Sequence, residues 1–215
     1  MIPYILSEHP QGSSEWKADR AGRATGSKAS AVQAKGKGNA EAVTRADYRV
    51  QLALERLLGE PCDDDFTSRD IQNGIDREPF ARMAFEARTG LFVQEAGFAY
   101  WEKLMVGCSV DGFSEEARRK GFVEIKCPKS KTHLEYLTGN RLPPVYKPQV
   151  LHNFLVTNCD YADFVSFDPK MPEKLQLFVF RIERDEAEIR AYEAELRQFL
   201  LEVEATHKQL MLMAA

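Results

Sequence analysis

Three side chains with the potential for phosphate chemistry lie within residues 108–128: Asp111, Glu124 and Lys126. Residues 122–127 alternate apolar and polar side chains, which predicts a strand with Glu124 and Lys126 on one face. Convergent carboxylates bind Mg²⁺, which accepts few protein oxygens and keeps several waters. An ammonium group beside a metal-bound water can orient that water for attack on phosphate. These residue types therefore indicate metal-dependent hydrolysis of a phosphate ester.

A β-hairpin would bring the two carboxylates together. Residues 104–110 form the first predicted strand, and the pair Asp111-Gly112 favours a tight turn at its end. Residues 122–127 form the returning strand, and the longer loop between the strands carries Arg118, Arg119 and Lys120. A surface hairpin with an ordinary Glu–Lys pair would show the same local pattern, so the rest of the chain must decide between the two.

Two further polar residues lie at the heads of predicted helices. Glu78, four residues after Gly74, could be a third ligand to a metal or to water, although the helix dipole also favours a glutamate in a first turn. Gln149 could hydrogen-bond the attacking water, although a solvated or buried polar residue would fit this position equally well. Neither residue carries a functional assignment by itself.

The elements around these residues alternate between helix and strand. Helices are predicted over residues 44–58, 71–89, 130–137, 145–157 and 185–211, and strands over residues 92–100, 104–110, 122–127, 161–167 and 175–182. Pro79 should lie in the first turns of its helix or bend it, because a deeper proline removes a backbone hydrogen bond. This order predicts an α/β fold, a mixed sheet flanked by helices, and the length of 215 residues suits a single domain over residues 1–215.

Charge and composition narrow the function classes. The net charge is −4, yet residues 17–37 hold six basic residues against one acid, and residues 118–131 hold six against one. Eight acids against three arginines in residues 183–204 place the negative charge elsewhere, so one side of the protein could grip a polyanion. No apolar run approaches a bilayer-spanning length and no signal-peptide core begins the chain, so we expect a cytoplasmic protein without a membrane partner. The four cysteines form no pair typical of a zinc or iron–sulfur site.

The order Glu78, Asp111, Glu124-Ile125-Lys126 and Gln149 resembles the PD-(D/E)xK nuclease superfamily, and within it the phage lambda exonuclease and YqaJ-type viral recombinase family. Further similar stretches are residues 16–27, Cys108-Ser109-Val110-Asp111-Gly112, Cys127-Pro128, residues 167–171 and residues 182–185. The resemblance covers residues 12–205. It departs at Val110, where such proteins often have proline, and this changes no ligand. It implies a restriction-endonuclease-like core.

For the catalytic residues, the resemblance implies two Mg²⁺ ions, for which Mn²⁺ could substitute. Asp111, Glu124 and the backbone carbonyl of Ile125 would bind metal, and Glu78 would complete a second metal site or hold a metal-bound water. Lys126 would position the nucleophilic water with help from Gln149. Two metals would stabilise the attacking and the leaving oxygen of an in-line displacement.

At the amino-terminal side, the family pattern Arg-x-Gly-x-x-Thr-x-Ser matches Arg20, Gly22, Thr25 and Ser27. The resemblance implies that Arg20, Thr25 and Ser27 bind the 5′-terminal phosphate of the digested strand. A guanidinium offers a fork of donors to phosphate oxygens, and hydroxyls add hydrogen bonds. Taken alone, Thr25 and Ser27 could equally be helix caps.

The function implied by the resemblance is a Mg²⁺-dependent 5′→3′ exonuclease that acts on double-stranded DNA ends. It would release 5′-mononucleotides and leave a 3′ single-stranded overhang for phage-type recombination, as a phage or prophage protein in a bacterial host. The family precedent is a ring-shaped homotrimer, with a single-strand annealing protein as partner. The alternatives are a structure-specific or restriction-type endonuclease on the same fold and a non-enzymatic DNA-end-binding recombination scaffold. The missing cysteine cluster disfavours a Cas4-like nuclease.

Overall fold

The computed structural model describes residues 4–38, 40–62 and 69–214, which form helices around two four-stranded sheets. The strands are β1 (Ile5–Leu6), β2 (Ala24–Thr25), β3 (Phe98–Trp101), β4 (Val106–Ser109), β5 (Gly112–Glu116), β6 (Arg119–Lys126), β7 (Tyr161–Phe167) and β8 (Leu177–Glu183). The helices are α1 (Ser14–Arg20), α2 (Ala29–Val32), α3 (Val43–Leu58), α4 (Arg69–Thr89), α5 (Ser130–Gly139), α6 (Lys147–Thr157) and α7 (Glu186–Ala214). Short 3-10 turns precede α2 and α6 and connect β7 to β8.

Both sheets are mixed, which confirms the predicted fold class. The first has the order β1-β3-β4-β2, with only β2 and β4 running parallel. The second has the order β5-β6-β7-β8, and its central pair β6 and β7 is parallel. Because β6 is paired on both sides, its backbone is fixed along its length.

The two faces of β6 pack against different helices. Val123 and Ile125 join Ala81 and Phe85 of α4 in one apolar cluster. On the opposite face, Phe122 meets Phe154 of α6 edge to face, with ring centroids 5.0 Å apart. Since side chains alternate along a strand, Glu124 and Lys126 also belong to the α6 face. The predicted common face of Glu124 and Lys126 is confirmed.

A larger core connects the first sheet to α3, α6 and α7. Tyr48 of α3 stacks on Phe199 of α7 at 5.5 Å. The Trp101 indole N–H donates to the carbonyl of Val156, which joins β3 to α6. These contacts fix the position of α6 between the two sheets. Among the helices that the structure describes, none combines the length and hydrophobicity needed to cross a bilayer.

The predicted hairpin between residues 104–110 and 122–127 is wrong. β4 belongs to the first sheet, and the strand that pairs with β6 is β5, which begins directly after Asp111. The hairpin turn therefore lies at Ala117 and Arg118, which both have positive φ, and Arg119 and Lys120 lie in β6 rather than in a loop.

The Asp111-Gly112 pair predicts a tight turn, but the structure shows that Gly112 has a packing role instead. A Cβ there would lie 2.3 Å from Val93 Cγ1, so the position must be glycine for the chain segment at Val93 to approach. A local Asp-Gly signal cannot reveal such a contact between distant parts of the chain.

Three smaller differences concern element ends. The strand predicted over residues 92–100 is limited to Phe98–Trp101, with a single bridge from Gln94 to Phe113. Glu78 and Pro79 lie inside α4, well beyond its first turns, because the helix begins at Arg69, so the predicted place of Glu78 at the head of a helix is wrong. The sequence does not predict the elements α1, α2, β1, β2 and β5.

Candidate active site

Glu124 is the centre of the candidate site. Its side chain is 2% exposed, and both carboxylate oxygens accept hydrogen bonds. The Gln149 amide donates to Oε1 at 2.6 Å, the Asn153 amide donates to Oε2 at 3.1 Å, and the Lys126 ammonium also pairs with Oε1. Gln149 and Asn153 are one turn apart on α6, so a single helix face orients the carboxylate.

Asp111 reaches the site from the point where the chain leaves the first sheet for the second. Its N–H donates to the carbonyl of Val123 at 3.1 Å, which extends the β5–β6 pairing by one residue. Its Oδ2 accepts from the N–H of Ile125 at 2.5 Å. Burial and the charge of Glu124 raise the pKa of Asp111 well above its usual range. Asp111 is thus held against the backbone of Ile125, the residue after Glu124, through a different strand pairing from the one that the sequence predicts.

Glu78 faces the same region from α4. It lines a cavity of about 350 Å³ together with Asp111 and the 7–11 segment. Its Oε1 accepts from Arg82 at 3.3 Å, and Arg82 also pairs with Glu95. Burial raises the pKa of Glu78 above its ordinary value, although the charge of the nearby Arg82 opposes this. Glu78 thus lies at the site but is held by an arginine.

Lys126 lies at the carboxyl end of β6. Burial alone would lower the pKa of its ammonium, but the carboxylates of Glu124 and Asp111 raise it above its ordinary value. The ring of Tyr146 lies 5.5 Å from Nζ. The ammonium of Lys126 is therefore a positive charge that is paired with Glu124, and the charge of Asp111 also favours it.

These groups suit a divalent cation chemically. Across residues 4–38, 40–62 and 69–214, no three Asp, Glu, His or Cys side chains are placed closely enough to hold a metal as they stand. The buried carboxylate of Glu124 and the half-buried carboxylate of Asp111 are nevertheless like charges that act on each other, and hard oxygen ligands of this kind are those that Mg²⁺ prefers. A bound cation would offset their repulsion, so the residues fit the ion that the resemblance implies.

The residues of the predicted phosphate pocket lie beside the first sheet: Arg20 ends α1, Thr25 ends β2 and Ser27 lies in the 3-10 turn that follows. Arg20 and Thr25 line a cavity of about 160 Å³ that Lys28 also borders. The Arg20 guanidinium lies 4.2 Å from the centre of the Trp16 ring and 3.4 Å from Ser109 Oγ, to which it donates. The Thr25 and Ser27 hydroxyls are 3.4 Å apart, and Ser27 is exposed beside the cavity. Arg20, Thr25 and Ser27 are thus brought to one place.

Sequence reasoning missed three polar residues of the site. Asn153 binds Glu124, Arg82 binds Glu78, and Ser109 binds Arg20. Asn153 could have been found, because it follows Gln149 by four residues and therefore shares its helix face. No local signal identifies Ser109, because its partner lies 89 positions away along the chain.

Comparisons with known proteins match the chain to a viral recombinase family and to solved exonuclease structures. The family model of YqaJ-like viral recombinase domains matches residues 15–160. The solved structure of LHK-Exo in complex with dAMP is 33% identical, covers 94% of this chain and 98% of its own, and superposes with a TM-score of 0.84. A second structure of LHK-Exo, an alkaline exonuclease from Laribacter hongkongensis, gives the same identity and coverage and a TM-score of 0.83.

A more distant structure shares the fold. A phage-related exonuclease from Haemophilus somnus 129PT is 15% identical, covers 90% of this chain and 96% of its own, and has a TM-score of 0.64. At that identity the similarity concerns the fold alone. No curated protein matches the chain.

Proposed function

The chain belongs to the family of YqaJ-like viral recombinase domains and is a nuclease of the alkaline exonuclease type, and we propose that it is a Mg²⁺-dependent 5′→3′ exonuclease for double-stranded DNA ends. Its products would be 5′-mononucleotides and a 3′ single-stranded overhang. The observation that carries this proposal is the placement of Lys126 and Gln149 around the carboxylate of Glu124, beside Asp111.

Metal binding would fall to a small set of oxygens. Asp111, Glu124 and the carbonyl of Ile125 would hold Mg²⁺, and Glu78 would complete a second metal position or hold a water, on release from Arg82. When bound, the ions supply Lewis-acid stabilisation of the charge that develops on the phosphate. Mn²⁺ prefers similar ligands and should substitute.

The remaining side chains orient the reactants. Lys126 carries three donors on a charged group that the neighbouring carboxylates hold protonated, so it can position a water by hydrogen bonding. The Gln149 amide lies beside the same carboxylate oxygen and can assist from the α6 side. Holding the water and phosphate in line lowers the entropic part of the barrier.

Selection of an end rather than the middle of a strand would come from Arg20, Thr25 and Ser27. A terminal phosphate carries more charge than an internal diester and exposes more oxygens. A forked guanidinium and two hydroxyls can satisfy those extra oxygens. The Trp16 ring under Arg20 restricts the guanidinium, which reduces the ordering cost when phosphate binds.

Digestion of linear and covalently closed circular duplex, with separate 5′ and 3′ labels, tests the activity. We expect Mg²⁺-dependent loss of the linear duplex, early release of the 5′ label as mononucleotide and persistence of the 3′-labelled strand. Cleavage of the closed circle would identify an endonuclease on the same fold. Binding to ends without any cleavage would identify a recombination scaffold.

We further propose that the protein assembles as a ring-shaped homotrimer around DNA and works with a single-strand annealing protein. The precedent of the family supports both proposals. Sedimentation equilibrium with and without duplex would show a mass of three chains if the ring forms. A monomer at every concentration would contradict the assembly and leave the chemistry of the site unaffected.

A further inference from the structure

Asn153 lies between two parts of the candidate site. Its Nδ2 donates to Glu124 Oε2 at 3.1 Å, while Gln149, one turn earlier on α6, donates to Oε1 at 2.6 Å. The Asn153 side chain is 0% exposed, so water cannot replace its hydrogen bond. The orientation of Glu124 therefore depends on two amides from one helix.

The other end of the same amide lacks a donor. Asn153 Oδ1 is buried and has no hydrogen-bond partner among the residues that the structure describes. A buried acceptor without a partner is destabilising and rare in folded proteins. Turning the amide over would not help, because it would place the oxygen against the carboxylate of Glu124. The amide is thus kept in an orientation that serves Glu124.

The oxygen of Asn153 rests against Gly26. A Cβ at Gly26 would lie 2.3 Å from Oδ1, closer than such atoms approach in folded proteins. Gly26 is buried and sits between Thr25 and Ser27, whose hydroxyls belong to the proposed phosphate pocket. Residues 25–27, here called the 25–27 loop, are therefore linked to Glu124 through the side chain of Asn153.

We propose that Asn153 is a positioning residue that couples the 25–27 loop to Glu124. The proposal rests on the proposed function, in which this loop binds the 5′-terminal phosphate. A phosphate that orders Thr25 and Ser27 fixes Gly26, and Gly26 in turn fixes the amide that orients Glu124. Recognition of the correct end then increases turnover and not only binding.

Steady-state kinetics on matched 5′-phosphate and 5′-hydroxyl duplexes test this coupling. Wild type should prefer the phosphate in both kcat and KM. Asn153→Ala should keep the preference in KM, because Arg20, Thr25 and Ser27 remain, but lose it in kcat. Its kcat on the phosphorylated duplex should fall roughly 10-fold or more, as expected for loss of a hydrogen bond to a charged group. An equal fall in kcat on both duplexes, with the kcat preference intact, would overturn the proposal.

A second variant approaches the contact from the loop. Gly26→Ala adds a methyl group against Oδ1 and should lower kcat on the phosphorylated duplex, whereas Gly139→Ala, at a glycine with open space around it, should not. The double variant Gly26→Ala with Asn153→Ala should be no slower than Asn153→Ala alone, because removal of the amide makes room for the methyl. Multiplied effects would mean that the two sites act independently and would overturn the coupling.

Two further measurements distinguish failure of the coupling from misfolding of a variant and from failure of the proposed function. Thermal unfolding of each variant checks the fold, and if Gly26→Ala does not fold, the kcat preference of Asn153→Ala decides alone. If wild type digests DNA without any phosphate preference, the phosphate assignment of the proposed function fails. The comparison of single and double variants then still decides whether Gly26 and Asn153 are coupled.

Discussion

The carboxylate of Glu124 accepts hydrogen bonds from Lys126, Gln149 and Asn153, and this crowding determines how the site responds to single substitutions. Removal of the carboxylate leaves three buried or half-buried donors without their acceptor. Removal of one donor leaves the other two in place. Loss of the acid should therefore be more damaging than loss of any one partner.

Asp111→Asn should abolish detectable cleavage while the fold survives. The amide oxygen can still accept the hydrogen bond from the N–H of Ile125, whereas the negative charge proposed for metal binding is lost. Glu124→Ala should be equally inactive. Mg²⁺ titration calorimetry and thermal unfolding of each variant are the measurements. Near-normal turnover by folded Asp111→Asn would show that the negative charge of Asp111 is not needed for catalysis.

Lys126→Met should reduce turnover by about 10²–10⁴-fold, the usual contribution of a group that positions or transfers a proton. Methionine keeps most of the apolar stem, and Gln149 and Asn153 still hold Glu124. Metal affinity should change much less than the rate, because lysine is not a ligand. A parallel loss of metal affinity would instead make Lys126 a structural counter-charge to Glu124.

Arg20→Lys should weaken the preference for 5′-phosphorylated ends. Lysine keeps the positive charge but loses the guanidinium fork and its stacking on Trp16. Losing a charged hydrogen bond costs about 1.5–3 kcal/mol, or roughly 10–150-fold in the affected step. Initial rates on phosphate and hydroxyl ends decide the question. An unchanged preference would place the phosphate elsewhere.

At the scale of elements, the sequence predicts a feature when residues close to it in the chain determine that feature. The shared face of Glu124 and Lys126 follows from strand alternation alone, and the placement of Gln149 in the first turn of a helix was equally local. The hairpin prediction is wrong because Gly112 allows close packing against Val93, and no residue near Gly112 in the sequence indicates this contact. Ser109 and Asn153 were missed because their roles depend on partners brought close by folding.

The β5–β6 turn offers a stability test of this corrected hairpin. Ala117 and Arg118 have φ of 50° and 68°, the left-handed values that both central residues of a type I′ turn adopt. Residues with a Cβ are disfavoured there by about 1–2 kcal/mol each. Replacing the pair by Asn-Gly should therefore raise the free energy of unfolding by about 1 kcal/mol or more and raise Tm by a few degrees.

Arg118→Ala is the matched control for that turn, because it removes the charge and keeps the unfavourable conformation. Its stability should stay close to that of wild type in thermal unfolding. If Asn-Gly gives no gain over Arg118→Ala, the turn is not of type I′ in solution.

At the scale of the whole molecule, α6 connects the two sheets. Through Gln149 and Asn153 it holds Glu124 of β6, and through His152 it reaches the Gly107 carbonyl of β4. Because one helix contacts both sheets, we propose that the chain is one domain whose sheets unfold together. A single cooperative transition by two probes would support this proposal.

His152 provides a pH-dependent measure of that connection. His152 lies on α6 and is fully buried against β4 and α7. The Gly107 carbonyl can only accept, so Nε2 at 3.0 Å must donate, and Nδ1 accepts from the Tyr192 hydroxyl at 2.7 Å. The folded protein therefore needs a neutral ring, and burial lowers the pKa of His152 to about 4.

Acid should consequently destabilise the protein through His152. In the unfolded chain a histidine has a pKa near 6.5, so between pH 6.5 and 4 the unfolded state binds a proton that the folded state excludes. Stability from this residue is complete above about pH 6.5 and falls as the pH decreases, by at most about 1.4 kcal/mol per pH unit and about 3 kcal/mol in total. Urea unfolding of wild type and His152→Gln from pH 4.5 to 8 isolates the effect, because the carboxylates that titrate in the same range cancel in the difference. Wild type should lose more stability with acid than His152→Gln, and equal pH profiles would show that His152 is charged or accessible in the folded protein.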